Sequence, residues 1–281
     1  MRSILWRKFK DRSALLVITV LAFLPALPLF HILYGIFRLG LPAFSWSFFT
    51  HLPTPPGEPN GGVGNAIVGT LMLSMLASAL AIPVGILSGV YLSEYARGRF
   101  GEVVRVAADV LQGVPSIVLG IVGYLWLVKP MGHFSALSGA VALSLMMLPV
   151  IVRSTEEILR MLPYTLREAS LSLGVNYWRT VIKVLIPTGL VGITTGILVA
   201  LSRIMGETAP LLFTAFGNPF WNFNPLQPVD ALPLTVFKYA ISPYQDWIRQ
   251  AWGASAVLTL MVLGLNLISR ILARRLSGDG K

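Results

Sequence analysis

The sequence has 281 residues, of which 55% are hydrophobic and only 12% are charged, and its mean hydropathy is +0.73. This composition excludes a soluble globular protein and indicates one that resides in a lipid bilayer. The formal net charge of +10 is explained by membrane topology and anionic lipid headgroups, so we expect membrane lipid and no nucleic acid as a partner.

Six mainly apolar runs follow one another along the chain, and each is long enough for a membrane helix, which needs about 20 such residues. The alternating segments of about ten residues that are typical of a membrane β-barrel are absent. The sequence therefore predicts an all-α polytopic bundle of six transmembrane helices. The predicted spans are Ala14–Phe37, Asn65–Ser93, Val110–Val128, Phe134–Val152, Val184–Ala215 and Ala251–Ser269.

The basic residues are distributed unevenly between the loops on the two sides of these spans. Seventeen of the 22 lie in the two tails and in the second-to-third and fourth-to-fifth connections. The opposite loops hold only Arg38, Lys129, Lys238 and Arg249, and Arg203 lies within a span. Because Lys and Arg accumulate in short cytoplasmic loops, both termini are predicted to be cytoplasmic.

The first run reads as an uncleaved anchor, since its 24 residues exceed the apolar core of a signal peptide. A segment rich in Pro and Gly follows it, Pro53 to Gly64, and reads as an outer linker. We therefore expect three parts: residues 1–63 (cytoplasmic tail, anchor and linker), a permease core at 64–270, and a cytoplasmic tail at 271–281.

Chemistry-bearing motifs are missing from this sequence. It has no cysteine, and His31, His51 and His133 are far apart, so no metal site is expected. It contains no G-x-x-x-x-G-K-[ST] loop, no G-x-S-x-G elbow and no H-E-x-x-H motif. We predict no catalytic residue, no cofactor and no ATP-hydrolysing site in this chain.

The connection between the fourth and fifth runs, residues 153–183, is the longest on the cytoplasmic side. Apolar residues recur at steps of three and four, and Pro163 and Gly174 punctuate them. This pattern predicts two short amphipathic helices, one on each side of Pro163, that need a second surface to cover their apolar faces. A helix lying on the lipid surface is the alternative.

This connection resembles the EAA signature of binding-protein-dependent ABC transporter permeases: E-A-A, three residues, G, nine residues, I-x-L-P. The matching residues are Glu168, Ala169 and Gly174, then Val184 to Pro187, with departures at Ser170, Val184 and Ile186. The resemblance implies the type I importer fold, and it implies that this segment docks on a cytoplasmic ATPase. Gly174 would permit a sharp reversal and a close backbone approach, and Pro187 would suit the first turn of the next helix.

Arg203 and Glu207 are an opposite-charge pair at i,i+4 inside the fifth run, where a charge costs about 2.5–3.5 kcal/mol. Thr208 and Pro210 follow, and Pro210 frees the carbonyl of Gly206, so the site is expected to face a pore. An arginine fork suits oxyanions, and Glu207 would accept a hydrogen bond from an oxyanion that still carries a proton. Arg203, Glu207 and Thr208 are the predicted substrate path.

The stretch from Gly206 to Ala215 resembles the A-type permease subunits of the phosphate-specific transport system, as do residues 232–234, 239–244 and 113–118. That resemblance implies a homologous second permease, two copies of an ATPase and an external phosphate-binding protein. Pro115 would kink the third helix, and Pro115, Ser116 and Asp109 are candidate gating residues. Two G-x-x-x-G patterns, at Gly85 and Gly192, predict close helix contacts.

Several functions remain open on sequence alone. The first is an ATP-driven importer of phosphate, and its near relatives would carry molybdate, sulfate or another oxyanion. An ion-coupled secondary transporter would use Glu207 as a relay but has no need for an EAA-type segment. A passive channel or scaffold is the third class. The aromatic outer connection, residues 216–250, is either a headgroup-level belt or a docking face.

Overall fold

The computed structural model describes residues 2–96 and 98–278, and these residues fold into helices without a β-strand. Five helices are long and apolar enough to cross a membrane, and a sharply bent pair makes a sixth. Arg97 and residues 279–281, which belong to the predicted cytoplasmic segments, lie outside the described residues. The prediction of an all-α bundle with six spans is confirmed.

The first span is longer than predicted, running from Phe9 to Ala43. Its helix is interrupted at Pro25, which lacks the N–H that an uninterrupted ladder requires. Of the predicted linker, residues 53–63 form neither helix nor strand, as expected, whereas Gly64 begins the next helix. Val63, at the end of this stretch, is buried. The helices of this part are α1 (Arg2–Phe23), α2 (Ala26–Gly40) and α3 (Trp46–Thr50).

The second span is one continuous run of helix, and the third is broken. The second ends in a π-helical turn, Tyr91–Tyr95. In the third, two helices meet at Val114 and Pro115 with a bend of 104°. The predicted third span, Val110 to Val128, is therefore not one continuous helix: the break at the predicted kink, Pro115, separates a helix that ends at Gly113 from one that begins at Ser116. The helices are α4 (Gly64–Val90), α5 (Arg99–Gly113), α6 (Ser116–Gly123) and, after a second π-helical turn, α7 (Lys129–Met131).

The fourth span and the connection after it differ from the prediction. The fourth helix continues to Met161, so the residues expected to form the first amphipathic helix are its last two turns. Only the second amphipathic helix exists as a separate element. The fifth span begins at Tyr177, and its main helix starts at Ile186, so Pro187 lies in the first turn of that helix as predicted. A π-helical turn, Val181–Leu185, precedes this proline. The helices are α8 (Ala136–Met161), α9 (Tyr164–Ser172), α10 (Tyr177–Thr180) and α11 (Ile186–Met205).

The fifth span ends earlier than predicted, at Met205 and not at Ala215. Residues 206–208 break the helix, and a short helix then places Pro210 in its first turn, where a missing N–H costs nothing. The last span continues as a helix through the start of the predicted tail, to Gly278. The helices are α12 (Ala209–Thr214), α13 (Leu232–Ala240) and α14 (Gln245–Gly278).

Small residues bring the second, fourth and fifth spans into close contact, as the two G-x-x-x-G patterns predicted. Gly85 and Gly89 of α4 lie against Ile151 and Thr155 of α8, where any added Cβ would clash. Gly192 of α11 meets Ile158 of α8 in the same way. The glycines let side chains of α8 rest directly on the backbones of α4 and α11, so the three helices are closely packed.

Candidate functional site: translocation path and coupling segment

Arg203 and Glu207 are only loosely paired. Arg203 lies two residues before the end of α11, and Glu207 lies in the non-helical turn after it, so the two residues do not share one helix. The distance from Nε of Arg203 to Oε1 of Glu207 is 4.0 Å, and the side chains are 47% and 21% exposed. The predicted i,i+4 pair is thus present as a long contact, but the two residues do not lie on one helix face. Among the described residues, no hydrogen-bond acceptor occupies the donors of the Arg203 guanidinium, which leaves them available to a ligand.

The break after Arg203 packs against the break in the third span. Gly120 of α6 lies against the backbone of Pro210 in α12, and an added Cβ there would clash. Gly123 of the same helix faces Thr214. The predicted gating residues Pro115 and Ser116 start the helix that makes these contacts. The helices that follow the two breaks, α6 and α12, are therefore in contact, although the sequence analysis treated them as separate sites.

Thr208 and Gly206 also line a mainly apolar groove of about 470 Å³ between α13, α14 and α2. Thr208 itself closes the first turn of α12, because its carbonyl accepts from the N–H groups of Leu211 and Leu212. The turn that carries Glu207 and Thr208 is thus hydrogen-bonded to helices on both sides, and of the three predicted path residues only Thr208 lines this groove.

The coupling segment, α9, has two different faces. Its outer face is exposed and carries the EAA residues Glu168 and Ala169, together with apolar residues such as Leu171. Its inner face holds Arg167 and Ser170, which are both buried. The outer face packs against no other described part of the chain. The inner face contacts the membrane spans, since Arg167 bonds Glu94 at the end of the second span.

Gly174 has φ of +75°, in the region that only glycine enters readily, and so reverses the chain after α9 as predicted. No atom of the chain lies near the position of an added Cβ, so the expected close backbone approach does not occur within this chain. Pro187, the last residue of the signature, is exposed in α11, two residues past the π-helical turn. Its place in the first turn of α11 agrees with the expectation, although the membrane span itself begins earlier, at Tyr177.

A cluster of charges at the C-terminal end of α8 was missed from the sequence. Glu156 is 1% exposed and contacts Nε of Arg105 at 2.6 Å, Nη2 of Arg160 at 2.9 Å and Nη1 of Arg153 at 3.2 Å. Arg153 also forms a two-pronged bond with Asp109, at 2.6 and 2.8 Å. Asp109, predicted to gate, thus holds α5 to α8. The i,i+3 and i,i+4 spacing around Glu156 was the available sequence signal.

A second buried pair ties α9 to the end of the second span. Nη2 of Arg167 lies 2.6 Å from Oε1 of Glu94, and the two side chains are 9% and 1% exposed. The hydrogen bond to Glu94 raises the pKa of Arg167, so its charge is permanent. A polar cavity of about 800 Å³ adjoins this pair. Among the described residues, no group of three His, Cys, Asp or Glu is placed to hold a metal ion.

Known proteins resemble this chain over nearly its whole length. Residues 81–278 match the model of the family described as binding-protein-dependent transport system inner membrane component. The chain belongs to this family. It is therefore a multi-pass membrane component of a transport system and not an enzyme, as the sequence predicted.

The similar proteins of known name are permeases. The phosphate transport system permease protein PstA of Yersinia pestis is 40% identical over 95% of this chain and 91% of its own length. That of Xylella fastidiosa is 47% identical over 84% of this chain and 83% of its own. That of Mycobacterium leprae is 36% identical over 97% and 92%.

The fold is also found in a solved structure. A chain of the MetNI methionine ABC transporter, in inward-facing conformations, superposes with a TM-score of 0.60 at 20% identity, covering 76% of this chain and 94% of that chain. At this identity the likeness shows the fold alone, and it confirms the predicted type I importer permease fold.

Proposed function

We propose that the chain is a permease subunit of an ATP-driven ABC importer that moves inorganic phosphate across the bacterial inner or plasma membrane. The observation that carries this proposal is the similarity to phosphate transport permeases over 95% of the chain. The exposed, loosely held fork of Arg203 supports it, because such a fork is suited to phosphate oxygens.

In this proposal, Arg203, Glu207 and Thr208 line the substrate path. A charge exposed on a membrane helix is costly against lipid, so the exposed side of Arg203 faces the aqueous path or the second permease. Because α6 packs on α12 through Gly120, the start of α6, at Pro115 and Ser116, moves together with the path residues. Asp109 bonds Arg153 and so links this movement to α8.

The outer face of α9 is the proposed dock for the ATPase. Glu168, Ala169 and Leu171 are exposed there, and Gly174 leaves open space for a close partner backbone. Pro187 would follow the movement of α11. The proposed assembly has a homologous second permease, two ATPase copies that hydrolyse the ATP and an external phosphate-binding protein. Residues 64–270 form its permease core, between a segment 1–63 and a tail 271–281, with both termini cytoplasmic.

The test is solute-dependent ATP hydrolysis and uptake by the complex reconstituted in vesicles. Phosphate should stimulate both, and sulfate and molybdate should stimulate neither. If sulfate or molybdate stimulates hydrolysis and uptake, that anion and not phosphate is the substrate. Uptake that an ion gradient drives without ATP would establish a secondary transporter, and flux without either energy source would establish a channel.

A further inference from the structure

Glu94 is a buried carboxylate that receives donors from three parts of the chain. It lies in the π-helical turn at the end of the second span, and π-helical turns are frequent at functional sites. Nη2 and Nε of Arg167 donate to it at 2.6 and 3.0 Å, from α9. The hydroxyl of Tyr177, at the start of the fifth span, donates at 2.7 Å, and that of Ser93 at 2.7 Å. One carboxylate thus holds α9 and two membrane spans together.

Arg167 extends this link to the fourth span. Its Nη2 also donates to the carbonyl of Leu159 at 2.9 Å, and its Nη1 to that of Leu162 at 3.2 Å. Both carbonyls lie at the C-terminal end of α8, where four carbonyls have no partner within the helix. Arg167 therefore contacts the ends of the second and fourth spans at once.

The second span has no direct covalent route to α9. The chain joins α9 to the fourth and fifth spans, whereas Glu94 is 73 residues away from Arg167 in sequence. A force applied to the exposed face of α9 is transmitted along the backbone to spans four and five. The direct path from α9 to span two is the contact between these two side chains.

We propose that Glu94 and Arg167 form the mechanical link that carries the movement of α9 to the second membrane span, so that spans two, four and five move together during transport. The inference rests on the proposed docking of α9 on an ATPase. The fork of Arg167 bonds both carboxylate oxygens and so resists rotation as well as separation, which a lysine cannot do. Arg167 is a positioning residue, since it acts on the path through the helices.

The alternative role for this pair is to stabilise the fold only. Arg167→Lys separates the two roles, because it keeps the charge next to Glu94 but replaces the two-pronged bond by a point contact. If the pair only stabilises the fold, an assembled Arg167→Lys complex should import as much phosphate per ATP as the unchanged complex. A transmitting role predicts that the assembled complex hydrolyses ATP with less transport.

The experiment measures the phosphate imported per ATP hydrolysed by the reconstituted complex, with assembly checked by co-purification of all subunits. Arg167→Lys and Glu94→Gln should each lower this ratio about tenfold, within the usual range for coupling between two sites. Arg270→Lys, at an exposed arginine of α14 outside the coupling segment, is the matched control and should keep the ratio of the unchanged protein. An assembled Arg167→Lys complex with an unchanged ratio overturns the link.

A second variant covers the case in which the single substitutions do not assemble. The chain has no cysteine, so Glu94→Cys with Arg167→Cys gives a unique pair when the other subunits are freed of cysteine. Bridging this pair with a short bifunctional thiol reagent should restore the ratio that the unbridged variant lacks. A bridged protein, identified by its shifted mass, that stays uncoupled contradicts the proposal.

These outcomes are distinct from those that test the function itself. If the unchanged complex imports no phosphate when ATP is added, the proposed function fails. If it imports phosphate and the variants keep its ratio, the link alone fails.

Discussion

The charges at the two ends of the membrane bundle are held in opposite ways. At the end that holds α9, Glu94 and Glu156 are 1% exposed, and each accepts from arginine side chains, Glu94 from Arg167 and Glu156 from three arginines, at 2.6–3.2 Å. At the far end of the fifth span, the Arg203–Glu207 pair is separated by 4.0 Å, and Arg203 is half exposed. The same two types of side chain therefore form a satisfied network in one region and an unsatisfied pair in the other.

This difference assigns the two regions different physical tasks. A buried, fully bonded network strongly resists the removal of one partner, so it suits the transmission of force between helices. A loose, exposed pair contributes little to stability, and its free donors are available to a passing anion. Stability should therefore depend on the buried Glu94 and Glu156 clusters, and substrate handling on the Arg203–Glu207 pair.

The largest effect on stability is expected from Glu156→Ala. It leaves three guanidinium groups without their shared carboxylate, and breaking a buried pair costs about 3–5 kcal/mol. We expect about 3 kcal/mol, since the arginines keep partial access to water and lose less than a sealed charge would. Thermal unfolding of the detergent-solubilised protein measures this loss.

The control for this variant is Glu157→Ala, at an exposed neighbour on the same helix. Its unfolding temperature should stay close to that of the unchanged protein, within about 0.5 kcal/mol. Equal losses from the two variants would show that the Glu156 cluster does not stabilise the fold.

A smaller loss is expected from Tyr177→Phe, which removes only the hydroxyl that donates to Glu94 at 2.7 Å. A hydrogen bond to a charged group contributes about 1.5–3 kcal/mol, and Arg167 still satisfies the carboxylate, so we expect about 1.5 kcal/mol. Tyr95→Phe is the control, because the Tyr95 ring meets the Tyr177 ring edge-on and its hydroxyl does not contact Glu94. If both variants unfold alike, the bond to Glu94 contributes nothing.

Sequence reasoning located the spans well because long apolar runs carry their own signal. It failed where tertiary contacts decide the outcome. Pro115 indicated a kink, yet a bend of 104° depends on how α6 packs on α12 through Gly120. The Glu94–Arg167 contact joins residues 73 apart, and a single sequence gives no pairing information at that distance. The positive-inside rule explained Arg105, Arg153, Arg160 and Arg167 by topology alone and thereby concealed their partners.

Arg203→Ala tests the loosely paired charges at the far end of the fifth span. The loose pair is worth less than about 1 kcal/mol, so the unfolding temperature should hardly change. Phosphate uptake by the reconstituted complex should nevertheless fall to background, because the neutral side chain offers no donors to the anion. Ser202→Ala, at the preceding residue, should retain uptake. Normal uptake by an assembled Arg203→Ala complex would remove Arg203 from the path.

The smallest effect is expected from Glu207→Gln, which keeps an acceptor oxygen but removes the negative charge. Two like charges about 4 Å apart in a watery site repel by about 1 kcal/mol, which is about fivefold in affinity. Sulfate, which is fully ionised, should therefore compete with phosphate uptake about fivefold better in the variant than in the unchanged protein. Hydrogen phosphate can donate its proton to Glu207, so its own uptake should change less. An unchanged inhibition constant for sulfate would mean that Glu207 does not face the anion, and the 4.0 Å separation from Arg203 would then describe a structural turn and not a binding site.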